Sequence, residues 1–205
     1  MRLYDSNVPS GNVYKVQLLL NQLGLPYENV ELDLLSTPSE TRKAPFLAKN
    51  PNGRVPLLEL DDGQCLPESN AILCYLAEGT DYLPKDRLER ARALSWMFFE
   101  QYSHEPYVAV LKFWTYWGGL ERCRPEDIER WKTRGQAALD VMAKHLQGRS
   151  YFVGERYSVA DIALFAYTQS AADIGFRVDP AVNSWMDRVR ATPRYVPIKA
   201  DRTKL

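Results

Sequence analysis

Three clusters in this sequence carry side chains that can hold or activate a small molecule. Ser10, in Ser10-Gly11-Asn12, stands directly before an apolar run that begins at Val13. A hydroxyl at the start of a helix lies beside unpaired backbone N–H groups and the positive end of the helix dipole, so it can stabilise an anion without any charged side chain. The same serine can also act as an ordinary N-cap, worth about 1 kcal/mol and needing no ligand. Asn12 and Ser6 are further donors in the same loop. Glu68-Ser69 opens a second helix, where a carboxylate can receive a cation and a hydroxyl with its N–H can hold an anion. Read alone, both are simply first-turn residues. Arg42, Lys43 and Arg54 supply cations, each by itself a solvated surface charge. The third cluster is aromatic: Trp96, Phe98, Phe99, Tyr102, Tyr107, Phe113, Trp114, Tyr116 and Trp117 place nine of the 24 Phe, Trp and Tyr residues within 22 positions.

Metal chemistry has no comparable support. His104 lacks a second ligand at metal spacing and reads as an ordinary hydrogen-bonded histidine. Cys65, Cys74 and Cys123 are odd in number and form no CxxC pair, so neither a disulfide framework nor a zinc knuckle is suggested.

The elements that must position these clusters follow from periodicity. Residues 2–5 alternate as a short strand, and Val13 to Leu23 forms a helix closed by Gly24 and blocked by Pro26. Val30, Leu32 and Leu34 alternate with Asn29, Glu31 and Asp33 as a half-buried strand, giving a βαβ unit with parallel strands. After a short irregular or helical stretch at 38–47 and the turn Asn50-Pro51-Asn52-Gly53, residues 55–60 and 65–67 read as an antiparallel hairpin, followed by a helix over 68–76. Beyond Gly79 the pattern is helical throughout. One helix spans about 87–116 with a kink or break at Pro106, another 125–148, and a third starts at the capping-box pattern Ser158-Val159-Ala160-Asp161. The last runs over about 180–191. The chain thus divides into an α/β domain at 1–78, a linker at 79–86 and an all-α domain at 87–205.

Composition narrows the function. The 205 residues carry 26 Lys plus Arg against 26 Asp plus Glu. That balance lacks the basic excess needed to bind a phosphate backbone, which sets nucleic acid aside as a main partner. No signal-peptide core follows the N-terminus and no apolar stretch approaches the roughly 18 residues of a membrane span, so the chain reads as soluble and cytoplasmic.

The order βαβ, α, ββ, α followed by an all-helical domain resembles the cytosolic glutathione S-transferase superfamily with its thioredoxin-like first domain. The resemblance is carried by Ser10-Gly11-Asn12-Val13-Tyr14-Lys15-Val16, Asn50-Pro51-Asn52-Gly53-Arg54-Val55-Pro56, Pro67-Glu68-Ser69-Asn70-Ala71-Ile72 and Ser158-Val159-Ala160-Asp161-Ile162-Ala163. It covers nearly the whole chain and is strongest toward bacterial members close to the serine-using theta and phi types.

That resemblance implies glutathione as co-substrate, conjugation of its thiolate to a small hydrophobic electrophile, no metal and a homodimer. Ser10 lies sixteen residues before Pro26, the spacing at which serine-type relatives carry their thiolate-stabilising serine, with Asn12 or Ser6 as alternatives. Glu68 would receive the glutathione ammonium and Ser69 its γ-glutamyl carboxylate, while Val55, before a Pro56 resembling a cis-proline, would pair with the cysteinyl backbone. Arg42 and Arg54 would suit the glycyl carboxylate, although the family often has glutamine at Arg54. Tyr102, His104, Tyr107 and Trp114 would wall the electrophile in a cleft facing the first domain. A thiol-disulfide role would call for cysteine at Ser10, and a glutathione-dependent isomerase or dehalogenase, or a non-catalytic binding or scaffold protein, are the alternatives.

Overall fold

The computed structural model describes residues 1–199, which separate into two compact units. Among these residues the first comprises Met1–Glu78 and the segment 193–199; the second is Gly79–Thr192.

The first unit is built on a four-stranded mixed sheet of order β2-β1-β3-β4. Strand β1 (Arg2–Ser6) runs parallel to β2 (Glu28–Leu32) with Arg2 opposite Glu28, and antiparallel to β3 (Leu57–Glu59) with Leu3 opposite Leu58. Strand β4 (Cys65–Pro67) completes the hairpin, pairing Leu66 with Leu58. Period-two alternation sends Leu3 and Leu58 to one face and Tyr4 and Leu57 to the other. Tyr4 and Leu57 form a cluster with Phe46 of the short helix α2 (Ala44–Leu47). On the helical side, α1 (Gly11–Leu23) packs against α3 (Ser69–Ala77), burying Val13, Val16, Leu18, Leu19, Leu20, Ile72 and Leu73.

Helix α1 ends where its capping chemistry dictates. Gly24 adopts φ 69°, and the Gly24 and Leu25 N–H groups donate to Asn21 and Leu20 carbonyls. A side chain at Gly24 would be strained by that φ and would also collide with the Arg194 guanidinium. The segment from Pro193 on lies along this helix: Tyr14 Oη donates to the Val196 carbonyl at 2.8 Å.

The second unit is all helical: α4 (Arg87–Phe99), α5 (Glu105–Phe113), α6 (Pro125–Leu146), α7 (Val159–Thr168) and α8 (Pro180–Arg190). The single helix with a break at Pro106 that the sequence predicts is α4 and α5 joined through a wider π-turn at Glu100–His104. Pro106 has no N–H to offer the preceding turn, so the interruption falls just ahead of it. Every residue of α7 is buried, and its start is held by a complete capping box. The Asp161 carboxylate accepts from the Ser158 N–H and hydroxyl, the Phe152 N–H and, at 2.9 Å, the Trp185 indole N–H. Burial pushes this carboxyl up to about 6, against the four donors that pull it down.

Asp161→Ala would leave those buried donors without an acceptor. A loss of about 3–5 kcal/mol is expected, read as a lower urea midpoint of the helical unit's unfolding.

Candidate active site

The loop after β1 is shaped by its own polar groups. Asp5 is buried at the end of the strand, where Oδ1 accepts the Ser6 N–H and Oδ2 accepts from Gln17, Asn29 and, at 3.0 Å, the Lys199 ammonium. Ser6 is buried and its hydroxyl donates to the Val8 carbonyl. With its single proton used there, Ser6 is unsuited to stabilise a ligand anion.

Ser10 is the N-cap of α1, with φ −87° and ψ 123°, and its Oγ accepts the Val13 N–H at 3.3 Å. The capping role is therefore real. It uses an oxygen lone pair and not the hydroxyl proton, so capping and donation to an anion are compatible in this residue.

Two helix starts converge at Asn12. Its Oδ1 is 3.3 Å from Ser69 Oγ, at the first turn of α3, and 2.8 Å from Lys15 Nζ, which is also 3.4 Å from Ser69 Oγ. The N-terminus of α1 and the N-terminus of α3 are thus tied into one polar cluster, and their backbone N–H groups add positive potential at the same place. Glu68, immediately before α3, takes φ 72° and ψ 112°, a conformation rare for a residue with a side chain. Its carbonyl accepts the Ile72 N–H at 2.9 Å. Backbone strain of this kind, on the order of 1–3 kcal/mol, persists only where the surroundings enforce it.

The Val55–Pro56 peptide is cis, as is Thr37–Pro38. Among the described residues neither the Val55 N–H nor its carbonyl has a hydrogen-bond partner, so both are open to a ligand backbone. The preceding turn is rigid: Asn50 Nδ2 donates to the Arg54 carbonyl at 2.8 Å, and Asn50 Oδ1 accepts the Asn52 N–H at 3.1 Å. Arg42 Nη1 donates to the Asn52 carbonyl at 3.1 Å and so braces this turn. Arg54 is exposed and makes no ion pair among the described residues.

Tyr4 is committed elsewhere. Its hydroxyl donates to Glu59 Oε2 at 2.7 Å, where Lys49 Nζ also donates at 2.6 Å, and its ring packs edge-on to Phe46. The Lys49 hydrogen bond, then that of Tyr4, holds the Glu59 carboxyl below its ordinary value.

The aromatic segment of the helical unit divides in two. Trp96 packs inside it against His145 and Phe152, whereas Tyr102 is 84% exposed and Tyr107 and Trp114 are half-buried. His104 is fully enclosed, with Nε2 3.1 Å from Thr168 Oγ1.

Sequence reading passed over Lys15 as a site residue. Its signal was a lone cation in the apolar run from Val13 to Leu20, one turn after Asn12. The Glu68 backbone conformation and the pairing of Lys199 with Asp5 left no local signal.

Residues 1–78 match the family described as glutathione S-transferase, N-terminal domain, and residues 125–188 match glutathione S-transferase, C-terminal domain. The disulfide-bond oxidoreductase YfcG of Escherichia coli (strain K12) is 31% identical, over 93% of this chain and 90% of its own. The chain belongs to the glutathione S-transferase family. Its thioredoxin-like first unit and helical second unit form the family fold. A crystal structure of a glutathione S-transferase from Pseudomonas fluorescens superimposes with a TM-score of 0.91 at 50% identity, covering 96% of this chain and 97% of that one. A glutathione transferase from Burkholderia graminis, solved with two glutathione molecules bound per subunit, is 29% identical with a TM-score of 0.79, covering 94% of this chain and 84% of that one. No helix among the described residues of this transferase-family chain is long and apolar enough to cross a membrane.

Glu59→Gln is expected to cost about 1–2 kcal/mol at pH 7. Because the folded carboxyl sits below its ordinary value, its contribution is present above that value and lost as the pH falls through the folded one. The gap between wild type and variant in denaturant titrations should therefore narrow as the pH falls below the ordinary glutamate range.

Proposed function

We propose that the protein is a glutathione transferase that activates the glutathione thiol at the α1 N-terminus and conjugates it to a hydrophobic electrophile. The observation that carries this reading is the meeting of the α1 and α3 starts at Asn12, Lys15 and Ser69, beside a Ser10 whose hydroxyl proton is not used by capping. A free thiol with a pKa near 8.5 is only a few per cent ionised at neutral pH; lowering it by about two units needs roughly 2.7 kcal/mol of selective anion stabilisation. Hydroxyl, amide and helix N–H donors can supply that together.

In this reading Ser10 and Asn12 face the sulfur, Glu68 receives the γ-glutamyl ammonium, the Ser69 backbone N–H at the α3 N-terminus holds its carboxylate, and Val55 pairs with the cysteinyl backbone. Arg54 serves the glycyl carboxylate, with Arg42 supporting it through the turn. Tyr102, Tyr107 and Trp114 offer apolar surface to the second substrate. The thiol proton passes to water, the thiolate lone pair forms the C–S bond, and the electrophile either expels a leaving group with its bonding pair or takes up a proton from water. Homodimer assembly, cytoplasmic location and a detoxifying role accompany this proposal and rest on family membership.

The oxidoreductase named among the relatives favours a second reading. With glutathione in place of a protein cysteine at Ser10, the same thiolate can attack a disulfide sulfur, forming a mixed disulfide and releasing one substrate thiolate, and a second glutathione thiolate then resolves it to glutathione disulfide, releasing the other. Only the acceptor distinguishes the two, so electrophiles and disulfides should be assayed side by side.

Glutathione titration, followed by thiolate absorbance across pH, is the deciding experiment. Binding with a depressed thiol pKa is expected, moving back toward the free value in Ser10→Ala or Asn12→Ala. The corresponding loss in kcat/KM is expected to be about tenfold per pKa unit at neutral pH and to vanish above the free-thiol pKa. Absence of glutathione binding would overturn the reading.

A further inference from the structure

Lys15 is 0% exposed, although its neighbours in α1, Val13, Tyr14, Val16 and Leu18, are the apolar residues of the core. An ammonium leaves water at a cost of several kcal/mol, and its protons must then be met by acceptors. Two of its contacts are to Asn12 Oδ1 at 2.8 Å and Ser69 Oγ at 3.4 Å. Asn12 and Lys15 are three residues apart and so share one face of α1.

An ammonium donates only, whereas a carboxamide can present either its carbonyl or its NH₂. Lys15 therefore selects the carbonyl end of Asn12. The Ser69 hydroxyl, 3.3 Å from the same Oδ1, is a second donor to that end. With two donors on Oδ1, the planar geometry of the amide turns Nδ2 the opposite way. Next to an anion the two orientations are not equivalent: the NH₂ group attracts it and the carbonyl oxygen repels it.

We propose that Lys15 is a positioning residue that holds the Asn12 amide with its NH₂ group, and not its carbonyl, presented to the glutathione thiolate, and that it acts on the thiol through Asn12. The proposal rests on the glutathione reading above and goes beyond it in naming what orients the donor. A bulky cation reaching the sulfur itself is not required, because the charge is spent on the far end of the amide. The burial of Lys15 follows from the same role: an exposed lysine would share its protons with water and leave the amide free to flip.

The test compares wild type, Lys15→Met, Asn12→Ala and the double variant by the pH titration of bound glutathione. Lys15→Met keeps the length and volume of the side chain and removes its charge and donors. It is expected to raise the bound-thiol pKa by about one unit, a tenfold loss of thiolate at neutral pH, and to add little in the Asn12→Ala background. An unchanged pKa in Lys15→Met, or an undiminished effect without Asn12, overturns the proposal. Side-chain amide resonances of Asn12 in the ligand-free protein give a readout independent of glutathione. They are expected to shift in Lys15→Met, and their constancy would overturn the positioning role even where a failure to bind glutathione had already overturned the functional reading. If Lys15→Met does not fold, Asn12→Asp preserves the contact to Lys15 and replaces the NH₂ donor by an acceptor. A raised thiol pKa is then expected, and an unmoved one counts against the proposal.

Discussion

The packing of α1 against α3 is the constraint on which the candidate site depends. The two helices pack against each other, and their buried leucines and isoleucine fix the spacing between them. With that spacing set by apolar contact, Asn12 and Lys15 of α1 and Ser69 of α3 come within hydrogen-bonding distance of one another. The chemistry of the site is therefore anchored by groups that do no chemistry. A shift of an ångström between the helices would weaken the contacts of a buried ammonium to Asn12 and Ser69.

The zero net charge has its counterpart in local pairing. Buried or half-buried charges are matched individually: Asp5 by Lys199 and side-chain amides, Glu59 by Lys49 and Tyr4, Asp161 by four neutral donors. A small zwitterionic peptide needs the same treatment, one group at a time. In the proposed reading, helix starts, an open backbone at Val55 and an exposed Arg54 would supply this without a long-range field that would also attract polyanions.

Much of the architecture was legible because it follows from local rules. Strand alternation around Leu3 and Leu58, the Gly24 stop, the 55–67 hairpin and the capping box at Ser158 each depend on a few neighbouring residues, and each stands in the structure. Pro106 marked an interruption, but whether it would be a kink or a π-turn depends on packing that periodicity does not encode. The site was legible as a neighbourhood only. Ser10 was favoured on paper, with Asn12 and Ser6 as alternatives; the three differ in what their atoms already bond to, such as the Val8 carbonyl that takes the Ser6 proton. His104 looked like one more member of an aromatic surface until Thr168, 64 positions away, enclosed it. Lys15 was hidden for the opposite reason, since lysine on a helix is ordinarily solvated.

The segment from Pro193 on changes what counts as a domain in this chain. Because it lies along α1 through Tyr14 and reaches Asp5 and Glu31 through Lys199, both chain-distal ends of the first unit belong to one body, and the helical unit is topologically an insertion within it. Tethering both ends of an insert lowers the entropy it gains on unfolding relative to a module hung from a single linker. It also means that a gene cut at residue 78 does not yield the complete first unit: the fragment would carry Asp5 without the ammonium that neutralises it, at the foot of the loop that leads to Ser10.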